Sequence, residues 1–337
     1  RTTRLAFFQE HFPARIGSLD QDLAFRDRTG GFELVRITEA TPTRAVAILK
    51  ERDSETAGVR IMLDVAGEPP HRIASVALQP GVSLDVTIPK LADAELATVV
   101  KAEAARREKE GRFSGAVMVA RRGKPVVSGA WGLADRDKGI KNTVETRFRN
   151  GSMNKMFTAV AVMTLVQDGK VSLDAPIGTY LEDYPNQEVA TKVTLHHLLS
   201  HTGGTGDIFG PEFMAHRTEL KIHDDYLKLY GKRGLDFEPG SSWDYSNYGF
   251  VLAGLVIERV TGKGYYDYVR ERVFRPAGMT RTDAEPEDVP VPDRSVGYLK
   301  EPGSQTLRRN DETLPYRGTA AGGGYTTVGD LIRFGTA

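Results

Sequence analysis

The hydrophobic pattern of this chain changes near residue 90, and the change divides the sequence into two parts that need different architectures. Before it, apolar residues alternate or cluster in four short runs, 32–38, 44–50, 59–65 and 73–78. Such runs, separated by turns containing Pro, Gly and Asp, are typical of strands. Leu5–His11 precedes them and is a candidate helix. Residues 1–90 are therefore predicted to form a small α+β accessory domain on an antiparallel sheet, without a catalytic constellation.

After this change, helical sequence dominates and one hairpin interrupts it. Leu91–Arg107 is rich in Ala, Glu, Lys and Leu, which favour helices. Ser114–Arg121 and Pro125–Trp131 are apolar runs joined by a short turn that contains Gly, a pattern that predicts a β-hairpin. Ala284–Asp311 is rich in Pro, Asp and Glu and predicts an irregular surface loop. We therefore predict a second domain over residues 91–337.

The composition excludes several classes of protein. The chain has 45 basic and 45 acidic residues, a balance that argues against a nucleic-acid binder, which needs a basic surface. It contains no Cys, so disulfides, thiolate catalysis and Cys-based zinc sites are excluded for this chain. The longest apolar stretches, Phe157–Val166 and Phe250–Ile257, are far shorter than the roughly 18 residues that a membrane helix needs. The sequence predicts neither a nucleic-acid partner nor a membrane span.

A serine and a lysine three residues apart, Ser152 and Lys155, stand at the start of a predicted helix. The helix is indicated by the apolar positions 156, 157, 160 and 163. Residues three apart share a helix face, so the hydroxyl and the amine can meet beside the free N–H groups of the helix N-terminus. This arrangement suits a nucleophile and a lysine base whose pKa lies well below about 10.4. A capping Ser and a solvated Lys would give the same pattern.

Tyr245 and Asn247 form a second short pattern, between the turn Glu238-Pro239-Gly240 and an apolar helical run. Side chains two residues apart project the same way from an extended segment. A phenol there can pass a proton to a leaving group, and the amide can hold the lysine amine and a substrate carbonyl. The alternative is an interfacial Tyr and a helix-capping Asn. Tyr184-Pro185-Asn186 is a second Tyr-x-Asn match, which we interpret as a decoy because it contains Pro in a loop.

Other residues are given structural interpretations. His197 and His201 lie one turn apart, but the chain has no HExxH pattern and no Cys, so we predict no metal site and no cofactor. Asp207 and Asp244 are interpreted as solvated loop residues, with contact to the substrate as the alternative. Trp243 is interpreted as a packing residue, with a place in the lining of the cleft as the alternative, because it lies two residues from Tyr245. The Gly-x-Ser-x-Gly pattern of α/β-hydrolases is absent from the sequence.

Together these segments resemble the penicillin-recognising serine hydrolases, specifically the branch related to class C β-lactamases. That branch includes β-lactamases, D-alanyl-D-alanine carboxypeptidases, D-aminopeptidases and esterases. Ser152-Met153-Asn154-Lys155 matches its Ser-x-x-Lys motif, and Tyr245-Ser246-Asn247 matches its Tyr-x-Asn motif. The resemblance covers about residues 96–337. Further segments that carry it are GKVSLDAPIGTYLEDY after the first helix, VTLHHLLSHTGG at 193–204, VRERVFRPAGMTRT at 269–282 and GTAAGGGYTTVGDLIRF at 318–334.

The resemblance implies an α+β fold in which an antiparallel sheet flanked by helices lies beside an all-helical subdomain, with the active site in the cleft between them. It implies that Ser152 is the acylated nucleophile, with its N–H as half of the oxyanion hole, and that Lys155 is the base. Tyr245 would relay a proton to the leaving group and later activate water, while Asn247 would orient the lysine and the substrate.

The resemblance also implies the class of substrate and the location. The substrate would be a small molecule or peptide, namely an ester, a D-amino-acid peptide or a β-lactam, and the protein would be periplasmic or secreted. The alternative is a non-catalytic member of the scaffold that binds cell-wall-like ligands or protein partners. Neither interpretation specifies an oligomeric state.

One departure from the family pattern concerns the end of the sequence. The family has a third motif, Lys-Thr-Gly or His-x-Gly, on a sheet strand downstream of the Gly322-Gly323-Gly324 loop, and no such motif occurs before Ala337. The strand that carries it supplies the second oxyanion N–H, and losing one oxyanion donor costs about 10²–10³-fold in rate. We therefore expect the domain over 91–337 to be C-terminally incomplete and the chain to be a fragment. The alternative is a complete but inactive chain.

Overall fold

A computed structural model of the chain describes residues 2–12, 30–52, 54, 57–84, 90–300 and 306–337. The chain folds into two compact units. The first comprises Arg1–Leu91 and Tyr298–Arg308, and the second comprises Ala92–Gly297 and Arg309–Ala337. The domain ranges 1–90 and 91–337 stay predictions, and the assignment of Tyr298–Arg308 to the first unit was not foreseen from the sequence.

The first unit is built on a four-stranded antiparallel sheet in the order β1-β2-β3-β4. Its strands are β1 (Phe32–Ala40), β2 (Arg44–Glu51), β3 (Ala57–Val65) and β4 (Ile73–Ser83). The four strands confirm the runs predicted from alternation. They pair in the order of the sequence because turns of a few residues join consecutive strands. Val46 and Ile48 of β2 and Val59 of β3 are buried. Val59 pairs with Leu49, so it lies on the face of the sheet opposite to Val46 and Ile48.

The helix α1 (Thr2–His11) confirms the predicted helix at Leu5–His11. Its residue Phe8 and the following Phe12 are buried and pack against Ile73 and Val76 of β4. Phe8 and Phe12 are four residues apart, so both rings lie on one side of the helical turn. The helix therefore covers part of one face of the sheet.

The strands of the second unit are short and form antiparallel pairs in the part of the chain that the structure describes. They are β5 (Gly115–Arg121), β6 (Lys124–Trp131), β7 (Leu133–Asp135), β8 (Ile140–Lys141), β9 (Phe148–Arg149) and β12 (Tyr325–Thr326). β5 and β6 confirm the predicted hairpin. Its turn residues Arg122 and Gly123 both have positive φ, 53° and 76°, as a type I′ turn requires.

The segment Ala284–Asp311, predicted to be an irregular loop, contains two short strands that pair in a two-stranded sheet. Its strands are β10 (Tyr298–Lys300) and β11 (Leu307–Arg309). The prediction was wrong at these residues because three-residue strands are too short to show alternation. A 3₁₀ turn at Asp311–Thr313 follows them.

The second unit contains more helical residues than strand residues. They are α2 (Asp93–Lys109), α3 (Asn154–Gln167), α4 (Gln187–Lys192), α5 (Leu195–Leu199), α6 (Pro211–His216), α7 (His223–Tyr230), α8 (Asn247–Thr261), α9 (Tyr265–Val269) and α10 (Val328–Phe334). A π-helical segment, Arg270–Phe274, follows α9, and a 3₁₀ turn at Ile177–Thr179 precedes α4. None of the described helices is both long and apolar enough to cross a bilayer.

The core of the second unit forms around α3 and α8. Every residue of α8 from Asn247 to Ile257 is buried, and α3 contributes Phe157, Ala161 and Leu165 to the same apolar cluster. Replacing a fully buried Phe such as Phe157 by Ala would cost about 3–5 kcal/mol of folding free energy. These two helices also carry Lys155 and Asn247 into the interior.

The buried face of α3 differs from the one that the apolar positions suggested. Phe157 is fully buried, but Met156, Val160 and Met163 are 40%, 39% and 46% exposed. α3 is apolar on nearly every side, so the spacing of its apolar residues predicts a helix without identifying the face that packs.

Candidate active site

Ser152 lies in a 3₁₀ turn, Gly151–Met153, immediately before α3. Gly151 has a φ of +51°, which glycine adopts readily. Ser152 is exposed, whereas Lys155 is only 8% exposed. The Lys155 Nζ is 3.5 Å from the Ser152 Oγ. The structure thus brings the hydroxyl and the amine together over one helical turn, joined by a long hydrogen bond.

The amine of Lys155 is fixed by two acceptors and two aromatic rings. Its Nζ donates to the Asn247 Oδ1 at 2.7 Å and to the Ala321 carbonyl oxygen at 2.5 Å. It also lies 4.6 Å from the ring centroid of Tyr245 and 5.3 Å from that of Phe250. Burial lowers the pKa of Lys155 below its ordinary value, against an opposing effect of Tyr245. The neutral amine, which is the form that can accept a proton, is therefore populated at a lower pH than for an ordinary lysine.

Asp207 fixes the side chain of Asn247. The backbone N–H of Asn247 donates to Asp207 Oδ1 at 2.9 Å, and its Nδ2 donates to Asp207 Oδ2 at 3.2 Å. Because the amide nitrogen faces the carboxylate, the amide oxygen faces Lys155. The interpretation of Asp207 as a solvated loop residue was therefore wrong. Its side chain lies at the site and orients a residue that the sequence did predict.

Tyr245 is 37% exposed and its ring stacks on that of His201, with centroids 4.4 Å apart. Trp243 is 63% exposed and meets His201 edge to face at 6.0 Å, so its interpretation as a packing residue was wrong. The predicted site residues Ser152, Lys155, Tyr245 and Asn247 therefore lie around one amine, which is the centre of the site.

The second Tyr-x-Asn sequence lies elsewhere and has a structural role, as interpreted. Tyr184 is 2% exposed, and its hydroxyl contacts that of Tyr248 at 3.3 Å. The Asn186 side chain caps α4 by accepting from the N–H groups of Glu188 and Val189. His197 is also structural, because its Nδ1 accepts from the N–H of Thr194 at the start of α5.

A glycine-rich loop faces the N–H of Ser152. The pairing of β9 with β12 joins the segment before Ser152 to the end of this loop, and the Gly323 N–H donates to the Gly151 carbonyl at 3.2 Å. A Cβ on Gly322 would lie 3.3 Å from the Gly151 oxygen and 3.6 Å from the Ser152 nitrogen. An alanine at this position would therefore bring a methyl group close to the Ser152 nitrogen.

Two residues that were not predicted from the sequence, the buried His223 and the half-buried Glu258, support this loop. His223 is 1% exposed, and its Nε2 accepts from the N–H of Ala320 at 3.1 Å. Its Nδ1 is 3.2 Å from Glu258 Oε1, and burial raises the pKa of Glu258 while His223 lowers it, with a net lowering. Because Ala320 adjoins Ala321, this pair supports the carbonyl that accepts from Lys155. No short motif marks it in the sequence.

A cavity of about 210 Å³ opens beside Ser152 and Asn247. Its walls are largely apolar, and the side chains that form them include Ile208, Phe209, Leu314 and Pro315. Such a cavity accommodates a small apolar group attached to a carbonyl that Ser152 can reach.

The sequence profile of the β-lactamase family matches residues 99–337. The chain is similar to esterase EstB of Burkholderia gladioli, with 36% identity over 62% of this chain and 58% of the relative. It is also similar to the putative penicillin-binding protein PbpX of Bacillus subtilis, with 34% identity over 59% of this chain and 48% of the relative. A penicillin-binding protein structure from Bacillus halodurans matches with a TM-score of 0.61 and 32% identity, over 68% of this chain and 72% of that one.

The chain spans about half the length of the curated relatives it matches. The match of the family profile nevertheless covers most of the chain, from α2 to its last residue. The structural match confirms the predicted fold class, in which helices and antiparallel sheets combine as in the β-lactamase and transpeptidase fold. This chain belongs to the β-lactamase family.

Proposed function

We propose that the protein is a serine hydrolase that forms an acyl-enzyme at Ser152, with Lys155 as the base and Tyr245 as the proton relay. The observation that carries the proposal is the position of the Lys155 Nζ, which is buried, 3.5 Å from the Ser152 Oγ and oriented by Asn247. A serine hydroxyl is a weak nucleophile unless an adjacent base takes its proton, and a lysine with a lowered pKa is such a base.

The proposed reaction has two halves. Neutral Lys155 takes the hydroxyl proton as the Ser152 Oγ bonds to the substrate carbonyl carbon, and the resulting oxyanion accepts from the Ser152 N–H. The carbon–heteroatom bond then breaks, and the proton passes through Tyr245 to the leaving group. In the second half, a water oxygen attacks the acyl carbon and gives a proton to Tyr245, while Tyr245 passes its own phenolic proton to Lys155. Lys155 then gives a proton to the Ser152 Oγ as the bond between Oγ and the acyl carbon breaks, which releases the acid and restores the enzyme.

The apolar cavity supports an ester with a small apolar acyl group as the preferred substrate. Each buried CH₂ contributes about 0.8 kcal/mol, so a fitting acyl chain gains affinity with each added carbon until the cavity is full. The names of the relatives, an esterase and a penicillin-binding protein, support acyl transfer in general. D-amino-acid peptides and β-lactams belong to the same proposed range of substrates.

A substrate panel tests this proposal. We expect kcat/KM for p-nitrophenyl esters to rise from acetate to butyrate and to fall for dodecanoate, because a cavity of about 210 Å³ cannot hold a long chain. D-alanyl peptides and nitrocefin, measured in the same series, show which other classes of substrate the protein hydrolyses. Binding of these compounds without turnover would contradict the proposal and favour the non-catalytic scaffold. A kcat/KM that does not vary with acyl length would contradict the assigned acyl pocket.

The oxyanion position gives a second test. Gly322→Ala places a methyl group in front of the Ser152 N–H, and we expect kcat/KM to fall by about 10²-fold, as when one oxyanion donor is lost. Gly329→Ala is the matched control, because its added Cβ in α10 would have no neighbour nearer than 3.6 Å. If Gly322→Ala folds and retains the kcat/KM of the control, the oxyanion is not bound at this position.

A further inference from the structure

His201 occupies a backbone position that favours glycine. It follows the end of α5, and its φ is +60°. The Thr202 N–H donates to the His197 carbonyl at 2.9 Å, and the His201 N–H donates to the Leu198 carbonyl at 3.4 Å. This pair of bonds closes a helix through one left-handed residue, which is usually Gly because a Cβ is unfavourable there. The backbone conformation therefore does not explain why this residue is a histidine. The contacts of its ring do explain it.

The contacts of His201 converge on Tyr245. The two rings stack with centroids 4.4 Å apart and planes 29° apart. The His201 Nδ1 accepts from the Ser246 N–H at 3.1 Å, and the His201 carbonyl accepts from the Asp244 N–H at 3.0 Å. One residue thus holds the phenol ring and the backbone on both sides of it.

The ring must be neutral to make these contacts. A backbone N–H can only donate, so the Nδ1 of His201 carries a lone pair and its proton is on Nε2. Burial lowers the pKa of His201, and the nearby charge of Lys155 lowers it further. Both effects favour the neutral ring that accepts from Ser246.

We propose that His201 is a positioning residue, which sets the phenol of Tyr245 for proton transfer during acyl transfer. The proposal rests on the proposed function, in which Tyr245 is the relay. His201 touches neither Ser152 nor Lys155 by hydrogen bond in the described part of the chain, so its effect passes through Tyr245. A displaced relay lowers the rate of proton transfer without removing the substrate pocket.

His201→Gly separates this role from a structural one. Gly relieves the left-handed strain at this position, while the variant loses the ring contacts and leaves the Ser246 N–H without its acceptor, so we expect these opposing effects to change the melting temperature by only a few degrees. We expect kcat to fall by about 10²-fold, as for other displaced catalytic groups, while KM changes little. A kcat equal to that of the unsubstituted protein would overturn the proposal, as would a loss confined to KM.

Two further variants test the route through Tyr245. If His201 acts through the phenol, Tyr245→Phe combined with His201→Gly should lose no more kcat than Tyr245→Phe alone. Losses that multiply would overturn the proposal. His201→Asn tolerates the left-handed backbone and places an acceptor oxygen where Nδ1 stands, so it should retain more activity than His201→Gly. Equal losses in the two variants would overturn the role of the Ser246 hydrogen bond.

The proposed function is checked separately in the same assay. If the unsubstituted protein turns over esters and Ser152→Ala does not, the proposed function stands whatever the His201 variants show. If both proteins are inactive or equally active, the proposed function fails first, and the positioning role fails with it.

Discussion

Ser152→Ala is expected to reduce ester hydrolysis by at least about 10⁴-fold, because the variant has no oxygen with which to form the acyl-enzyme. The exposed side chain makes few contacts, so the melting temperature should be unchanged. Steady-state hydrolysis of a p-nitrophenyl ester measures the loss. Ser128→Ala, at an exposed position of β6, is the matched control and should retain full activity. Equal rates for Ser152→Ala and the unsubstituted protein would contradict the assignment of Ser152 as the nucleophile.

Lys155→Met is expected to slow acylation by about 10²–10⁴-fold, the usual contribution of a general base. Met fills much of the same volume without an amine, although it leaves the acceptors on Asn247 and Ala321 without their donor. The melting temperature must therefore be measured beside the pre-steady-state acylation rate. Lys170→Met, at an exposed position beyond α3, removes the same charge without touching the site. An acylation rate that equals that of Lys170→Met would exclude Lys155 as the base.

The pH dependence of acylation gives a second readout of the same residue. A base acts in its neutral form, so the rate should rise as the pH increases through the pKa of Lys155. Burial lowers that pKa below 10.5, and the midpoint of this rise should lie below that value. In Lys155→Met the rise should be absent, and an identical rise in both proteins would assign it to another group.

The parts of the fold that have a strong local signal could be predicted from the sequence. Alternating apolar residues predicted β1 to β4, and a short turn that contains Gly predicted the hairpin of β5 and β6. The positive φ values of Arg122 and Gly123 agree with that turn. The packing face of α3 could not be predicted, because a helix that is apolar on nearly every side carries no amphipathic signal. The strands β10 and β11 were not predicted, because three residues are too few to show alternation.

The residues of the site could also be predicted only where they have a local sequence signal. Ser152, Lys155, Tyr245 and Asn247 were predicted from short patterns and from the family resemblance, and the structure brings them together. Asp207 and His201 were assigned other roles, because no fixed separation in sequence identifies a carboxylate that orients an amide or a histidine that supports a phenol. Their partners, Asn247 and Tyr245, are about 40 residues away in sequence, so only the folded chain reveals the contacts.

Intact-mass spectrometry after treatment with a fluorophosphonate tests whether Ser152 becomes covalently modified. Fluorophosphonates react with activated serine hydroxyls, so we expect one adduct per chain, located at Ser152 by peptide mapping. The adduct should be absent from Ser152→Ala and should form much more slowly in Lys155→Met. An adduct on another residue, or an unmodified protein that still hydrolyses p-nitrophenyl esters, would show that Ser152 is not the nucleophile.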